Sequence, residues 1–533
     1  MKNAKKIFIP VALAAALSLS AFLVACGEKT PPATNNDKWR DESIWMTAEP
    51  LVPTNAAEIP EDIEYRAPLG SVHDPSVFHD PVSGYYYAYG THFAVAKTYY
   101  LEDAFKNDKE GGWEQVEKEF DFSVLYGDEY ITYNGNKWPR ALEETVKLVQ
   151  PNADLNTTWA PDVEYINGKY YMYYSLTKGF GYNTSAIGRV ESNSPEGPFD
   201  NNVIIVDSMS NTAGKPNCID PELFYDKEGK LWLVYGSDSG GIFIKELYNE
   251  GSKVGLPKEE GFGTKLWKGG KNQEGPFIYY NAATDYYYLM CSYNRLQVNY
   301  NMHVARSKNP NGPYVGIDGK DVASDGEGNL VAGNFKFNRS GKGTNGLAAM
   351  GHNSVVKDKD GKYFVIYHSR SLSGNTVNQP HNLYVNQLYF NEDGWPVMAP
   401  TSYVGETRGT FTEEQVAQEY EIVVHAMPAD QSSGTSYKST YVTSVNYTLA
   451  ADGKVMSGQT QAGTWTLKDG YYAEITLKET RTVNGQATTV DIVYKGVVAP
   501  GWDTYASKVA DQKGVITITA VSNEGISLWA IQK

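Results

Sequence analysis

Cysteine is nearly absent. Three occur in 533 residues, Cys26, Cys218 and Cys291, too few for a disulfide framework to supply the stability. Cys218 and Cys291 lie in or beside apolar strand segments and are expected to be buried thiols. Positive charge is also short: 47 Lys and Arg stand against 63 Asp and Glu, a formal net charge of -16. Nucleic-acid binding needs Lys and Arg to displace the counterions of the phosphates, so this balance argues against such a partner. It also disfavours a polyanionic ligand, and a neutral one fits better. Long apolar runs are missing after residue 25, so no later segment is long enough to cross a bilayer as a helix. The rest is globular in balance, 41% hydrophobic and 21% charged, with length for two domains and a leader.

The first 26 residues read as export chemistry. Lys2, Lys5 and Lys6 precede an apolar run from Ile7 to Ala25, which ends Leu23-Val24-Ala25-Cys26. That ending resembles a bacterial lipobox, in which the cysteine is lipidated and becomes the first residue of the mature chain. The resemblance implies a lipid anchor on Cys26 as the chain's only membrane contact, and an exported lipoprotein of the cell envelope. Residues 27–66 then form a polar tether and lead-in.

What is abundant is tyrosine, 40 against 18 Phe, with 11 Trp and 50 Gly. Tyr and Trp favour strands, and their rings also suit sugar faces. A repeat runs through residues 67–406: a polar or acidic residue, a short apolar strand, a Gly or Asp turn, and a Tyr-rich strand. Its copies begin at His73-Asp74-Pro75-Ser76, Trp159-Ala160-Pro161-Asp162, Ile219-Asp220-Pro221-Glu222, Glu274-Gly275-Pro276-Phe277 and Gly351-His352-Asn353-Ser354. Turns such as Asn167-Gly168 and Asp360-Gly361 make each copy a β-hairpin. Further strand segments between the copies bring each unit to about four strands, the content of a propeller blade. Five copies predict a five-bladed β-propeller. Residues 99–158 are the longest gap and include helix potential from Ala141 to Val149. Residues 407–533 read as a second, smaller all-β domain, sandwich or barrel, with strands expected over 420–425, 444–449, 463–467, 471–477, 488–498, 514–520 and 527–531. The fold class is all-β.

In a propeller, equivalent positions ring one end of a central channel. Asp74, Asp162, Asp220, Glu274 and Asn353 precede or open the first strand of each copy in nearly one register, so four carboxyl groups are expected to converge at the axis. Clustered carboxylates repel and raise one another's pKa, which gives them little structural use there.

These motifs together resemble glycoside hydrolase family 43, and within it the endo-α-1,5-L-arabinanases. His73-Asp74-Pro75-Ser76 is similar to the general-base motif, Cys218-Ile219-Asp220-Pro221 to that of the aspartate that orients and tunes the acid, and Glu274-Gly275-Pro276 to that of the general acid. Ser185-Ala186-Ile187-Gly188 and Gly351-His352-Asn353-Ser354 resemble arabinanase segments that line the substrate site. The resemblance implies inverting, endo-acting hydrolysis of arabinan by Asp74, Asp220 and Glu274. An inverting pair holds its carboxyls roughly 6.5–9.5 Å apart, leaving room for the attacking water. Substrate contacts are implied for Ser185, Ala186, Ile187, Asn353 and Arg370, and a mostly water-coordinated calcium ion at His352. From residue chemistry alone His352 fits a hydrogen-bonded core residue better than a metal ligand, since calcium prefers oxygen. Asp162 fits sugar contact, support of Asp74 or a turn cap; Trp159 and Phe93 fit sugar stacking or packing. A monomer is expected. Two competing readings remain: an exo-acting arabinofuranosidase or β-xylosidase, and a surface glycan-binding lipoprotein without catalysis. A binder has no need of an acid and a base together.

Overall fold

The computed structural model describes residues 50–59, 72–101, 112–152, 155–209, 214–339, 346–483, 485–506 and 511–533. The leader, Cys26 and residues 27–49 of the tether lie outside them. The described chain is an all-β propeller of five blades followed by a closed eight-stranded barrel.

Blade one is Ser76–His79, Tyr86–Tyr89, Val95–Thr98 and Glu114–Glu117. Blade two is Thr158–Ile166, Lys169–Thr177, Ser185–Ser192 and Asp200–Asp207. Blade three is Glu222–Tyr225, Leu231–Ser237, Gly241–Leu247 and Thr264–Trp267, and blade four is Glu274–Asn281, Tyr286–Tyr293, Asn301–Ser307 and Asn329–Ala332. Blade five is Gly346–Lys357, Tyr363–Ser373, Thr376–Phe390 and Pro396–Met398, extended by Phe335–Lys336 and by Val442–Thr443 from the second domain. The four main strands of each blade are antiparallel, and hairpin turns close them; Val442–Thr443 pairs parallel with Phe335–Lys336. Ile166 pairs with Lys169 across Asn167-Gly168, both at positive φ, as a two-residue turn between twisted strands requires.

Many of the described tyrosines lie between blades. Tyr87 and Tyr89 of blade one pack with Tyr170 and Tyr174 of blade two, and similar apolar layers join blades two to three and three to four. A further layer of Val77, Tyr86, Val356, Phe364 and Ile366 joins blade five back to blade one and closes the ring. The tyrosine excess therefore follows from the architecture, which needs a broad, strand-compatible side chain at each blade face.

The long gap after blade one contributes that blade's outer strand, a hairpin of Tyr130–Tyr133 with Asn136–Pro139, and a helix over Glu143–Val149. Cys218 and Cys291 are buried free thiols, as expected.

The barrel strands are Glu419–Val424, Val445–Leu449, Lys454–Ser457, Thr460–Lys468, Tyr472–Val483, Gln486–Trp502, Gly514–Ser522 and Ser527–Gln532. Seven match segments expected from sequence. The eighth, Lys454–Ser457, is too short and polar to signal itself. A one-turn helix, Glu413–Val416, precedes them with a reciprocal Thr412/Gln415 capping box. The barrel shares a core with the propeller: Phe335 meets Trp529 edge to face at 5.1 Å, in a cluster that also holds Met350, Tyr363, Val423 and Ile531. Arg339 pairs with Asp503 at 3.1 Å across the junction, both side chains buried. Burial pushes the Asp503 carboxyl up and Arg339 pulls it back. Arg339→Ala leaves that carboxylate buried without its cation, so thermal or urea unfolding should show a loss of about 3–5 kcal/mol.

Candidate active site

The five copies align on the backbone more closely than on their side chains. Asp74, Asp220, Gly275 and His352 all have positive φ, between 49° and 60°. Each of these residues, and Ala160 in blade two, hands its N–H to a side chain from the preceding blade. The acceptors are His368 Nδ1 for Asp74 (3.1 Å), Thr91 Oγ1 for Ala160 (3.0 Å), Ser175 Oγ for Asp220 (2.9 Å), Asp220 Oδ2 for Gly275 (3.0 Å) and Ser292 Oγ for His352 (2.8 Å). The true register is thus Asp74, Ala160, Asp220, Gly275 and His352.

This corrects the expected ring of acids. Asp162 lies two residues downstream and Asn353 one, while Glu274 lies one upstream. Asp162 joins blades: Ser76 donates to its Oδ1, and the Leu223 N–H of blade three donates to Oδ2 at 2.8 Å. Glu222 and Ser354, in the same downstream position, accept Ile278 N–H and Val77 N–H of the next blade. An acceptor there staples one blade to its neighbour, which is a structural use for an acid. Burial pushes the Asp162 carboxyl up to about 7.

Three carboxyl groups remain at the axis, in unlike environments. Burial works against ionisation of Asp74, but the group is held well below the usual carboxylate range by the imidazoles of His73, His352 and His368, all within 3.4 Å of Oδ1, of which His352 is the one that keeps its proton near pH 7. Burial drops His73 to about 3 and holds His368 well below its ordinary value, so both are neutral near pH 7. Burial also opposes charge on His352, yet Asp74, Asp220 and Glu274 together raise it to about 9, which makes His352 the cation beside Asp74. Thr91 Oγ1 donates to Asp74 Oδ2 at 2.6 Å. Glu274 is pushed up to about 8, first by burial and then by the charges of Asp220 and Asp74, against a 3.0 Å hydrogen bond from Tyr300 Oη to its Oε1. Asp220 rises to about 6 by burial, with His352 drawing it back. One carboxyl is kept ionised and another protonated over the same pH range.

Gly275 is needed as glycine. Its φ is +60°, and a Cβ there would lie 3.1 Å from His352 Cγ.

The other expected contact residues divide. Arg370 is buried, with Nε and Nη1 lacking a protein partner among the described residues, and burial lowers it to about 10 despite the attraction of Asp74. Asn353 Oδ1 is likewise a buried polar atom without a protein hydrogen bond among the described residues. These are groups a sugar hydroxyl, a water or a cation would satisfy. Trp159 is half-buried, donates from Nε1 to Asn156 O, and meets Phe180 at 6.4 Å. Phe180 is 84% exposed, an aromatic face open to solvent beside Trp159 that the repeat pattern did not single out. Phe93 packs in the core against Phe122, Tyr126 and Tyr174. Ala186 and Ile187 are fully buried in inter-blade layers. Ser185 Oγ donates to Asn217 Oδ1 at 2.7 Å, bracing the segment that leads to Asp220. These four stand behind the site and shape it through packing.

His73, Asp74 and His368 place one ligand atom each within 4.8 Å of one another. They make a poor metal centre, because the His368 Nδ1 lone pair already accepts the Asp74 N–H. His352 is the better cation position: three carboxyl groups draw positive charge onto it.

A propeller whose axis keeps one carboxyl ionised and one protonated has the equipment of a glycoside hydrolase. Comparison with known proteins agrees. Residues 136–396 match Glycosyl hydrolases family 43, and residues 400–530 match the C-terminal lipocalin-like domain that accompanies it. An extracellular endo-α-(1→5)-L-arabinanase of Thermotoga petrophila is 35% identical over 492 residues, 86% of this chain and 93% of that protein. A second such enzyme, of Bacillus subtilis, is 32% identical over 507 residues, 89% and 96% of the two chains. The crystal structure of the endo-1,5-α-L-arabinanase from Thermotoga petrophila RKU-1 superposes with a TM-score of 0.72 at 34% identity, covering 89% of this chain and 100% of that one. The chain belongs to glycoside hydrolase family 43.

Proposed function

We propose that the protein hydrolyses α-1,5-L-arabinofuranosidic bonds within arabinan, with inversion. The observation that carries this reading is the opposed proton affinity of Asp74 and Glu274. Ionised Asp74 accepts a proton from a water, which attacks the anomeric carbon. Protonated Glu274 delivers its proton to the departing glycosidic oxygen. Asp220 grips the Gly275 N–H, fixing the backbone beside Glu274, and its charge keeps the acid protonated. Arg370 and Asn353 contact substrate, and Trp159 offers a ring face to a sugar. The arabinanase relatives supply the substrate class.

A calcium ion on the axis fits the donor chemistry at His352. Hard cations take oxygen ligands, so waters would make up most of the shell around the one imidazole, where neighbouring carboxyl groups call for positive charge. Bound there, calcium would supply a fixed charge in place of the imidazolium proton. Chelation should lower both Tm and kcat, and calcium at about a hundred times its Kd should restore roughly 2.7 kcal/mol of stability. No change in Tm on chelation and re-addition would rule the ion out.

Export and anchoring through Cys26 rest on the leader, and the two relatives above are extracellular enzymes. Labelled palmitate incorporated by the full chain but not by Cys26→Ser tests the anchor. Sedimentation of the soluble form tests the expected monomer.

The deciding experiment is a product profile on debranched linear arabinan, branched arabinan and xylan. A spread of arabino-oligosaccharides early in the reaction, with the anomer of inverted configuration first by NMR, supports the reading. Monosaccharide alone would move it to exo action. Retention on arabinan without products would leave a glycan-binding lipoprotein.

A further inference from the structure

Tyr300 opens the third strand region of blade four and is fully buried. Its hydroxyl donates to Glu274 Oε1 at 3.0 Å, and its ring stacks on His368 at 5.7 Å and 17°. Gly351 leaves room for that ring, since a Cβ there would fall 2.3 Å from Tyr300 Cδ1. Three sides of the phenol are thus set by the axis itself.

The chain segment that carries Tyr300 is held by the other domain. Residues 425–444 join the first two barrel strands and reach across to the turn that carries Tyr300. Asn299, adjacent to Tyr300 and buried, donates from Nδ2 to Pro428 O at 3.0 Å and accepts from Arg295 N at 3.1 Å. Arg295 pairs with Asp430 at 2.6 Å. Asn334 donates to Val298 O at 3.1 Å and to Ser439 Oγ at 2.8 Å, while its Oδ1 accepts Ala349 N–H, three residues before His352. His303 meets Met427 Sδ at 3.2 Å. The barrel loop therefore holds the 295–303 segment at several points.

We propose that Tyr300 is a positioning residue for the Glu274 carboxyl and that the barrel loop 425–444 holds Tyr300 in place, which makes the second domain a working part of the catalytic site. The proposal rests on Glu274 being the general acid. With Oε1 occupied by the phenol hydroxyl, the transferable proton rides on Oε2, the oxygen free to face substrate. A carboxyl without that bond is free to rotate and presents its proton less often. Geometry of this kind acts on the step that needs a proton and leaves sugar binding alone.

The test compares two substrates on the full chain: linear arabinan, whose leaving alkoxide needs a proton, and a 2,4-dinitrophenyl arabinotrioside, whose phenolate departs without one. Tyr300→Phe keeps the ring and removes the bond. It should lower kcat on arabinan about tenfold or more with KM nearly constant, and lower turnover of the activated glycoside far less. Asn299→Ala, with Tyr300 intact, should show the same pattern at smaller size. Equal losses on both substrates, or a change in KM alone, would overturn the positioning role, and a silent Asn299→Ala would overturn the part given to the barrel. Glu274→Gln is run in parallel. If that variant does not itself discriminate between the substrates, the assignment of the acid has failed. If it does and Tyr300→Phe does not, only the present proposal has failed.

Discussion

Glu274→Gln should lower kcat on linear arabinan by about 10²–10⁴-fold, the usual contribution of general acid catalysis, with little change in KM. Glutamine keeps the shape of the side chain and can still accept the Tyr300 hydroxyl at its carbonyl oxygen, so the site is preserved while the proton is lost. The pH profile carries a second readout. Glu274 is raised to about 8, so activity should persist through neutrality and fall above that value. Asp74 is held well below the ordinary range, so the acid limb should lie low and the optimum be broad on that side. In the variant the alkaline fall should vanish, because no proton remains to be lost. Stability should move the other way. Glu274 binds its proton more tightly in the folded chain than a glutamate does at its ordinary value of 4.5, so folding loses stability as pH rises from there towards 8. Glutamine removes that loss, and its Tm above pH 8 should exceed that of the parent. A variant within tenfold of the parent in kcat, with the alkaline limb intact, would show that Glu274 is not the acid.

The blades were legible because a propeller repeats a local pattern. Each hairpin announces itself through a turn with Gly or Asp, Asn167-Gly168 and Asp360-Gly361 most plainly, between an apolar and a Tyr-rich strand, and the four main strands of each blade come from contiguous chain. The three axial acids were legible through Asp74-Pro75, Asp220-Pro221 and Glu274-Gly275-Pro276. What misled was register. Asp162 follows a proline as Glu222 does, and both are staples between blades; Ala160 occupies the axial position in blade two. The distinction lies in the backbone, in a residue whose N–H points to the preceding blade and which is left-handed in every blade but the second, and side-chain identity carries little of it. Thr91, Ser175, Ser292 and His368 accept those N–H groups from near the ends of second strands. Three of them are small hydroxyl residues in a recurring place, a signal available in the sequence once the hydrogen-bond ring is known. Tyr300 carried no such mark. Its hydroxyl meets Glu274 through tertiary structure alone, and the barrel loop that secures it begins 125 residues later, at residue 425.

The tuning role of Asp220 admits a separation that most acid residues do not. Asp220→Asn keeps a side-chain oxygen for the Gly275 N–H, which Asp220 Oδ2 now accepts at 3.0 Å, and removes only the charge. Above about pH 6 the native Asp220 is ionised. From there its charge is the second largest cause, after burial, of the high proton affinity of Glu274. In the variant that push is gone. Glu274 should lose its proton at lower pH, and the alkaline limb of kcat should move down from its position near 8. At a fixed pH of 8 the loss of protonated acid compounds with any loss of orientation, so kcat should fall by about tenfold or more. At pH 5, where Asp220 is largely protonated in the parent too, the two enzymes should differ far less. Titrating kcat from pH 4 to 9 for both distinguishes the roles. A deficit that is the same at every pH would mean that Asp220 acts through its grip on Gly275 alone. A deficit that grows with pH assigns it the electrostatic part, and makes the charge on this aspartate, added to burial, what keeps the acid protonated at the pH where the base is not.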